Sequence, residues 1–159
     1  MNLSKFLATV LLAFICVSAG QAAAGGGVLP TLTRGQTVYV SVYSNVFSGP
    51  KALRVNLSAI LTIRNTDMKN PLVVSAIDYY DTEGRLLRRH LAAPVRLNPL
   101  ATKYIHIKES ESVGGPGSNF IVRWYAGKPI NPPIVETVMV GTRGGQGISF
   151  IAPGQVIAE

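Results

Sequence analysis

The chain has 159 residues, 47% of them hydrophobic, and a formal net charge of +7. That length supports one domain with its own core and leaves no room for a second. A single cysteine excludes a disulfide framework, and two isolated histidines do not supply the ligand set of a zinc site.

The N-terminus has the layout of a secretory signal peptide. Lys5 precedes an apolar run from Phe6 to Val17, and small residues up to Ala24 supply a cleavage pattern. The run is shorter than the ~20 residues that a spanning helix needs. We therefore predict a cleaved signal peptide over 1–24, a periplasmic or secreted protein, and no transmembrane segment in the mature chain.

The rest of the chain predicts a linker over 25–35 and one β domain over 36–159. Apolar residues alternate in Thr37–Tyr43 and more clearly in Val55–Ile63. This two-residue period is typical of strands with one buried face. Both segments are therefore predicted as strands that face a common core.

Further strands follow at spacings of about ten residues. Leu72–Tyr80 is predicted as a central strand covered on both faces, and 81–84 as the hairpin turn that leads to a returning strand, Arg85–Leu91. Asn119–Tyr125 is expected to place Trp124 in the core. Seven to nine strands and no helix predict an all-β antiparallel β-sandwich of immunoglobulin or fibronectin-like type, with a jelly roll or barrel as the alternative.

The glycine-rich loop Gly141–Gly147 is the one stretch that suggests phosphate chemistry. It lacks the lysine of a phosphate-binding loop, and a strand rather than a helix follows it. We predict a turn, and leave open an anion-binding nest beside Arg143.

The sequence identifies no catalytic, metal-binding or cofactor-binding residues. His90 and His106 are predicted at the surface, without a partner that would orient a catalytic base. Asp78 is the one candidate acid for a glycosidase, and no second acid is identified. Enzymatic activity is therefore not predicted, although the sequence does not exclude it.

A basic cluster is the most informative surface candidate. Guanidinium groups suit carboxylates and phosphates, and tyrosine rings nearby add contact area. The competing explanation is an edge strand kept charged to prevent aggregation. The predicted anion or partner surface consists of Arg85, Arg88, Arg89, Arg96, Tyr79 and Tyr80.

Six segments together resemble a bacterial family of small exported proteins known only as a domain of unknown function. The resemblance implies an exported single domain and no activity. The segments, in order, are GQTVYVSVYS (35–44), LTIRNTD (61–67), DYYDTEGRLL (78–87), LNPLATKYI (97–105), GSNFIVRW (117–124) and GTRGGQGISF (141–150).

These observations favour an exported, non-enzymatic binding module. The expected partner is an envelope protein or an anionic glycan, because export makes envelope polymers better candidates than nucleic acid for a basic chain. Two alternatives stay open: a hydrolase of envelope glycans, and a structural subunit that pairs through edge strands. The oligomeric state and the strand order are not predicted.

Overall fold

The computed structural model describes residues 30–158. The predicted signal peptide and residues 25–29 of the predicted linker lie outside this range. The first strand begins at Thr33, inside the predicted linker, because Thr33 and Gly35 already pair with the strand Asn119–Ile130, with a shift of register between them.

The described residues form twelve strands, more than the seven to nine predicted. Five of the twelve have only three or four residues, too few to show a hydrophobic period. The strands are β1 (Thr33–Ser41), β2 (Asn45–Ser48), β3 (Leu53–Asn56), β4 (Ser58–Arg64), β5 (Leu72–Tyr80), β6 (Leu86–Arg89), β7 (Val95–Leu97), β8 (Thr102–Ile107), β9 (Asn119–Ile130), β10 (Ile134–Arg143), β11 (Gln146–Pro153) and β12 (Gln155–Ile157).

Two antiparallel sheets pack face to face, so the predicted β-sandwich is confirmed. The six-stranded sheet has the order β12-β1-β9-β5-β6, with β7 also paired to β5. The four-stranded sheet has the order β11-β10-β4-β8. A separate hairpin, β2–β3, lies between β1 and β4 in the chain. Between β8 and β9, residues Ser112–Gly114 form one short 3-10 turn.

Alternating residues of both sheets build the core. In β4, Ala59, Leu61 and Ile63 are fully buried, as the two-residue period predicts. Trp124 of β9 is 2% exposed, which confirms its predicted place in the core. Burial of Leu61 and of Ile63 each stabilises the fold by about 1.5–3 kcal/mol.

Strand β5 does not have the predicted cover on both faces. Ile77 and Tyr79 are buried, whereas Val73, Asp78 and Tyr80 are half-buried on the outer face of the six-stranded sheet. Strand β5 is central in its sheet, with β9 on one side and β6 and β7 on the other, but only one of its faces meets the core.

The turn after β5 confirms its predicted chemistry. Asp81 Oδ1 accepts hydrogen bonds from the backbone N–H groups of Glu83 (3.0 Å) and Arg85 (2.8 Å). Gly84 has φ +77°, the left-handed conformation that glycine adopts without strain. Burial pushes the pKa of Asp81 up, but the bonds from Arg85 outweigh it, and the pKa is lowered.

The glycine loop is a hairpin turn between β10 and β11. Arg143 pairs with Gln146, so two residues, Gly144 (φ +56°) and Gly145 (φ +79°), make the connection. Positive φ at both central positions is the signature of a type I′ turn, which matches the twist of the flanking strands. The prediction of a turn is confirmed.

Candidate functional site

The six residues of the predicted surface do not form one patch. Arg85 belongs to the turn, where its Nε bonds to Asp81 Oδ2 at 2.7 Å and its guanidinium also reaches Glu83. Tyr79 is 3% exposed and contributes to the core. Tyr80 is half-buried on the outer face of the six-stranded sheet.

The three remaining arginines lie on two faces. Arg89 pairs with Asp78, and Arg96 pairs with Val73, so both are on the outer face of the six-stranded sheet. Arg88 pairs with Tyr79 and therefore points to the opposite side of the strand. Consecutive strand residues project to opposite faces, which separates Arg88 from Arg89.

Arg88 lines a groove at one end of the sandwich, between the β2–β3 hairpin and the loop that joins β8 to β9. The groove has a volume of about 650 Å³. We call it the arginine groove, and the residues that line it include Phe47, Arg54, Arg88, Glu111, Ser112 and Val113.

Two arginines from distant parts of the chain line this groove. Arg88 Nη2 lies 3.0 Å from Glu111 Oε2, and the Arg88 side chain is 55% exposed. Arg54 Nη2 donates a hydrogen bond to the Ser112 carbonyl at 2.9 Å. These two bonds hold both guanidinium groups against the β8–β9 loop, and both side chains stay open to solvent at the groove.

Apolar side chains stand beside the two charges. Phe47 of β2 is 60% exposed and Val113 is 72% exposed, although both are large apolar residues. Solvent-exposed apolar groups beside polar ones are typical of a contact surface. The groove therefore offers cationic forks and apolar surface to the same ligand.

A buried polar network fixes the loop that carries the groove wall. Tyr79 Oη donates to Ser118 Oγ at 3.5 Å, and Ser118 Oγ donates to the Val42 carbonyl at 2.8 Å. Burial raises the pKa of the Tyr79 hydroxyl. A Cβ on Gly114 would overlap the Tyr79 hydroxyl, so the loop approaches the core this closely only with glycine there.

His90 does not have the predicted surface environment. Its ring packs near Tyr79 (centroids 6.3 Å apart) and Phe120 (5.8 Å), and its Nε2 is buried with no hydrogen-bond partner among the described residues. Burial, and then the charge of Arg88, lower the pKa of His90. The prediction failed because residue 90 follows β6 and turns inward, where its backbone N–H bonds to Ile77 at 2.8 Å.

The other candidate residues form no comparable site. His106 is exposed, as predicted, and its Nε2 lies 2.9 Å from Ser58 Oγ on the open face of the four-stranded sheet. Asp78 forms an ion pair with Arg123 (3.2 Å). Within residues 30–158 no cluster of three or more potential metal ligands occurs, and no helix is long and apolar enough to cross a membrane.

Sequence reasoning identified Arg88 but missed its neighbours in the groove. Arg54 is far in the chain from Arg88 and from the segment that carries Glu111 and Val113, and it lies on a four-residue strand that shows no period. Three glycines in residues 114–117 were the available signal, because they mark a loop that packs closely against its neighbours.

A family model described as a protein of unknown function (DUF3124) matches residues 35–157. The chain belongs to this family. The match confirms the resemblance drawn from the six sequence segments.

No curated protein matches the chain. Among solved structures, the crystal structure of Thermotoga maritima 1070 is similar with a TM-score of 0.45 and 9% sequence identity. The similarity covers 76% of this chain and 92% of that one.

Proposed function

We propose that this family member is an exported, non-enzymatic binding module that holds an anionic glycan in the arginine groove. The observation that carries the proposal is that Arg54 and Arg88 line one groove together with the exposed ring of Phe47. A guanidinium binds a carboxylate through two parallel hydrogen bonds, and an apolar ring offers a surface to the C–H face of a sugar.

The electrostatics of the groove support an anionic ligand over a neutral one. Glu111 is the one carboxylate among the groove residues, and it is already paired with Arg88. An incoming carboxylate would compete with Glu111 for the Arg88 fork or bind alongside it. In either case Arg54 adds a second positive charge to the site.

The hydrolase alternative gains no support from Asp78. Its carboxylate is paired with Arg123 on an open sheet face, and this face is not the arginine groove. A paired-carboxylate mechanism requires two acids across a cleft, within about 10 Å of each other.

The test is a titration with an oligosaccharide of galacturonic acid, with the neutral galactose oligosaccharide as the ligand control. The protein is purified after expression with its own N-terminus. At a hundred times its Kd, a ligand stabilises the fold by about 2.7 kcal/mol, which a thermal-shift measurement detects readily. Calorimetric titration then gives the Kd.

Adjacent arginines supply matched variants. Arg88→Ala should raise the Kd by about tenfold to a hundredfold, since a hydrogen bond to a charged group contributes about 1.5–3 kcal/mol. Arg54→Ala should act in the same direction. Arg89→Ala removes the same charge from the next residue but on the other face, and should bind as the wild type does.

Equal losses in the Arg88 and Arg89 variants would show only general attraction to a basic protein and would overturn the proposal. Binding of an acidic peptide without binding of the acidic oligosaccharide would also overturn it, in favour of a protein partner. Folding should be intact in all three variants, because exposed ion pairs contribute about 0–1 kcal/mol.

A further inference from the structure

The sheet edges within residues 30–158 differ in how well they are protected against strand addition. In the six-stranded sheet, β12 has three residues, and β6 and β7 are short strands that carry Arg88, Arg89 and Arg96. In the four-stranded sheet, β8 places Lys103 opposite the buried Ile63, on the inner face. Short strands, charged residues and inward lysines are the usual protections of natural sheet edges.

Strand β11 has none of these protections along most of its length. It is eight residues long, contains no charged residue, and has its single proline at the last position. Within the described chain it is the outermost strand of its sheet and pairs on one side only, with β10. A long uncharged edge of this kind is a template for another strand.

The hydrogen-bond phase of β11 identifies which backbone groups face outward. Gly154 N–H donates to the Val135 carbonyl at 2.7 Å, and the pairing of β11 with β10 is regular throughout. Antiparallel ladders alternate with a period of two, so the even-numbered residues of β11 bond to β10. The N–H and C=O groups of Gly147, Ser149 and Ile151 therefore point away from the sheet.

The proline at the end of β11 agrees with this assignment. Pro153 has the same parity as Ser149 and Ile151, so its missing N–H is on the outer side and costs no bond to β10. Ile151 is 61% exposed and lies beside Val138 on the outer face of the four-stranded sheet. The edge thus combines three open N–H groups with exposed apolar surface.

We propose that β11 pairs with β11 of a second copy of this chain, antiparallel and about a twofold axis at Ser149. In this register Ser149 lies opposite Ser149, and Gly147 lies opposite Ile151. The three outward N–H groups of each copy meet the three outward carbonyls of the other. The two four-stranded sheets then become one continuous sheet.

One observation and two consequences of the proposed register favour a second copy over a different partner. The edge carries no charge, so it offers nothing to an acidic partner and places no like charges together in a self-pair. On the outer face, the large Ile151 of one copy would lie opposite the small Gly147 of the other, so that the side chains fit without a clash. A twofold antiparallel pair is closed, because each copy uses the same edge, β11, to bind the other.

The test measures the mass of the wild-type protein by sedimentation equilibrium, over about 1–200 µM, on protein expressed with its own N-terminus. Ser149→Pro deletes an outward N–H and keeps the bonds to β10. It should weaken dimerisation by about tenfold to a hundredfold, the equivalent of two lost backbone hydrogen bonds. Circular dichroism checks that the variant remains folded.

A charge swap tests the register independently of proline. Ser149→Lys and Ser149→Glu place like charges opposite each other at the axis, and each should dimerise less than the wild type. A one-to-one mixture of these two variants should recover the dimer. The matched control is Thr102→Lys, which adds the same charge to the opposite, protected edge of the sheet and should dimerise as the wild type does.

A wild-type protein that stays monomeric at the highest concentration would overturn the proposal. A dimer that persists in the Ser149→Lys and Ser149→Glu variants would place the interface elsewhere and would also overturn it. If each of these two variants dimerises less than the wild type and their one-to-one mixture recovers the dimer, the β11 pair and its register are established.

Discussion

The arginine groove and the β11 edge use opposite chemistry within one domain. The groove presents Arg54 and Arg88, held in place by Glu111 and by the Ser112 carbonyl. The edge presents backbone groups and no charge. If both proposals hold, charged side chains bind the acidic ligand at one end of the domain, and uncharged backbone groups bind a second copy at a sheet edge.

The supports of the two regions also differ. The groove depends on a loop whose approach to the core requires glycine at position 114. The edge depends on the β10–β11 hairpin, which a two-glycine type I′ turn closes. A variant that disturbs the loop at Gly114 should therefore leave the β11 edge unchanged, and a variant that disturbs the β10–β11 turn should leave the groove unchanged.

The largest expected effect comes from Gly114→Ala. The added methyl group would overlap the Tyr79 hydroxyl and crowd Ser118, and overpacking of a tight site costs about 1–3 kcal/mol. Chemical denaturation should show this loss in the free energy of unfolding. The variant should also bind the acidic oligosaccharide less tightly, while its dimerisation constant stays the same. An equal loss of dimerisation would mean that the two regions are coupled through the core.

Salt should separate the two regions with an intermediate effect. Ligand binding to Arg54 and Arg88 depends on charge, so raising NaCl from 50 to 500 mM should raise the Kd several-fold. Association of two positively charged copies through an uncharged edge should strengthen slightly or stay constant, because salt screens their repulsion. Parallel titrations at both salt concentrations check this. If salt weakened both ligand binding and dimerisation, the two regions would not differ in their dependence on charge, and this prediction would be wrong.

The smallest expected effect is the pH response of His90. Burial and the charge of Arg88 lower its pKa below the ordinary 6.5, so the folded state binds this proton less readily than the unfolded state. Titration of His90 therefore leaves the free energy of unfolding unchanged above pH 6.5. That free energy decreases as the pH falls from 6.5 towards the folded pKa. Below the folded pKa the loss is complete and stops growing.

An NMR titration of the His90 ring checks this prediction. The wild-type pKa should be below 6.5, and Arg88→Ala should raise it, because that substitution removes a nearby positive charge. Arg89→Ala, on the opposite face of β6, should change it less. Equal shifts in the two variants would show that Arg88 has no special proximity to the ring.

The fold followed largely from local pattern. The alternation in 55–63 predicted the buried face of β4, and the Asp81 turn and the glycine turn each formed where short-range chemistry required them. These features depend on residues close in sequence, which is why the sequence alone reveals them. The sequence did not predict β2, and it joined the end of β3 to β4 as one strand over 55–63, because strands of four residues are too short to show a period.

The candidate site was predictable only in part. Neighbouring residues of a strand point to opposite faces, so the separation of Arg88 from Arg89 was available from their positions within a predicted strand. The meeting of Arg88 with Arg54 and Glu111 was not, because it depends on how three distant segments pack at one end of the sandwich.

The most direct test of the account is a calorimetric titration of the Ser149→Lys variant with the acidic oligosaccharide. If the groove and the edge are independent, this variant should bind one ligand per chain with the wild-type Kd, even where it no longer dimerises. A variant that loses ligand binding together with dimerisation would contradict the account, since groove and edge would then form one interface.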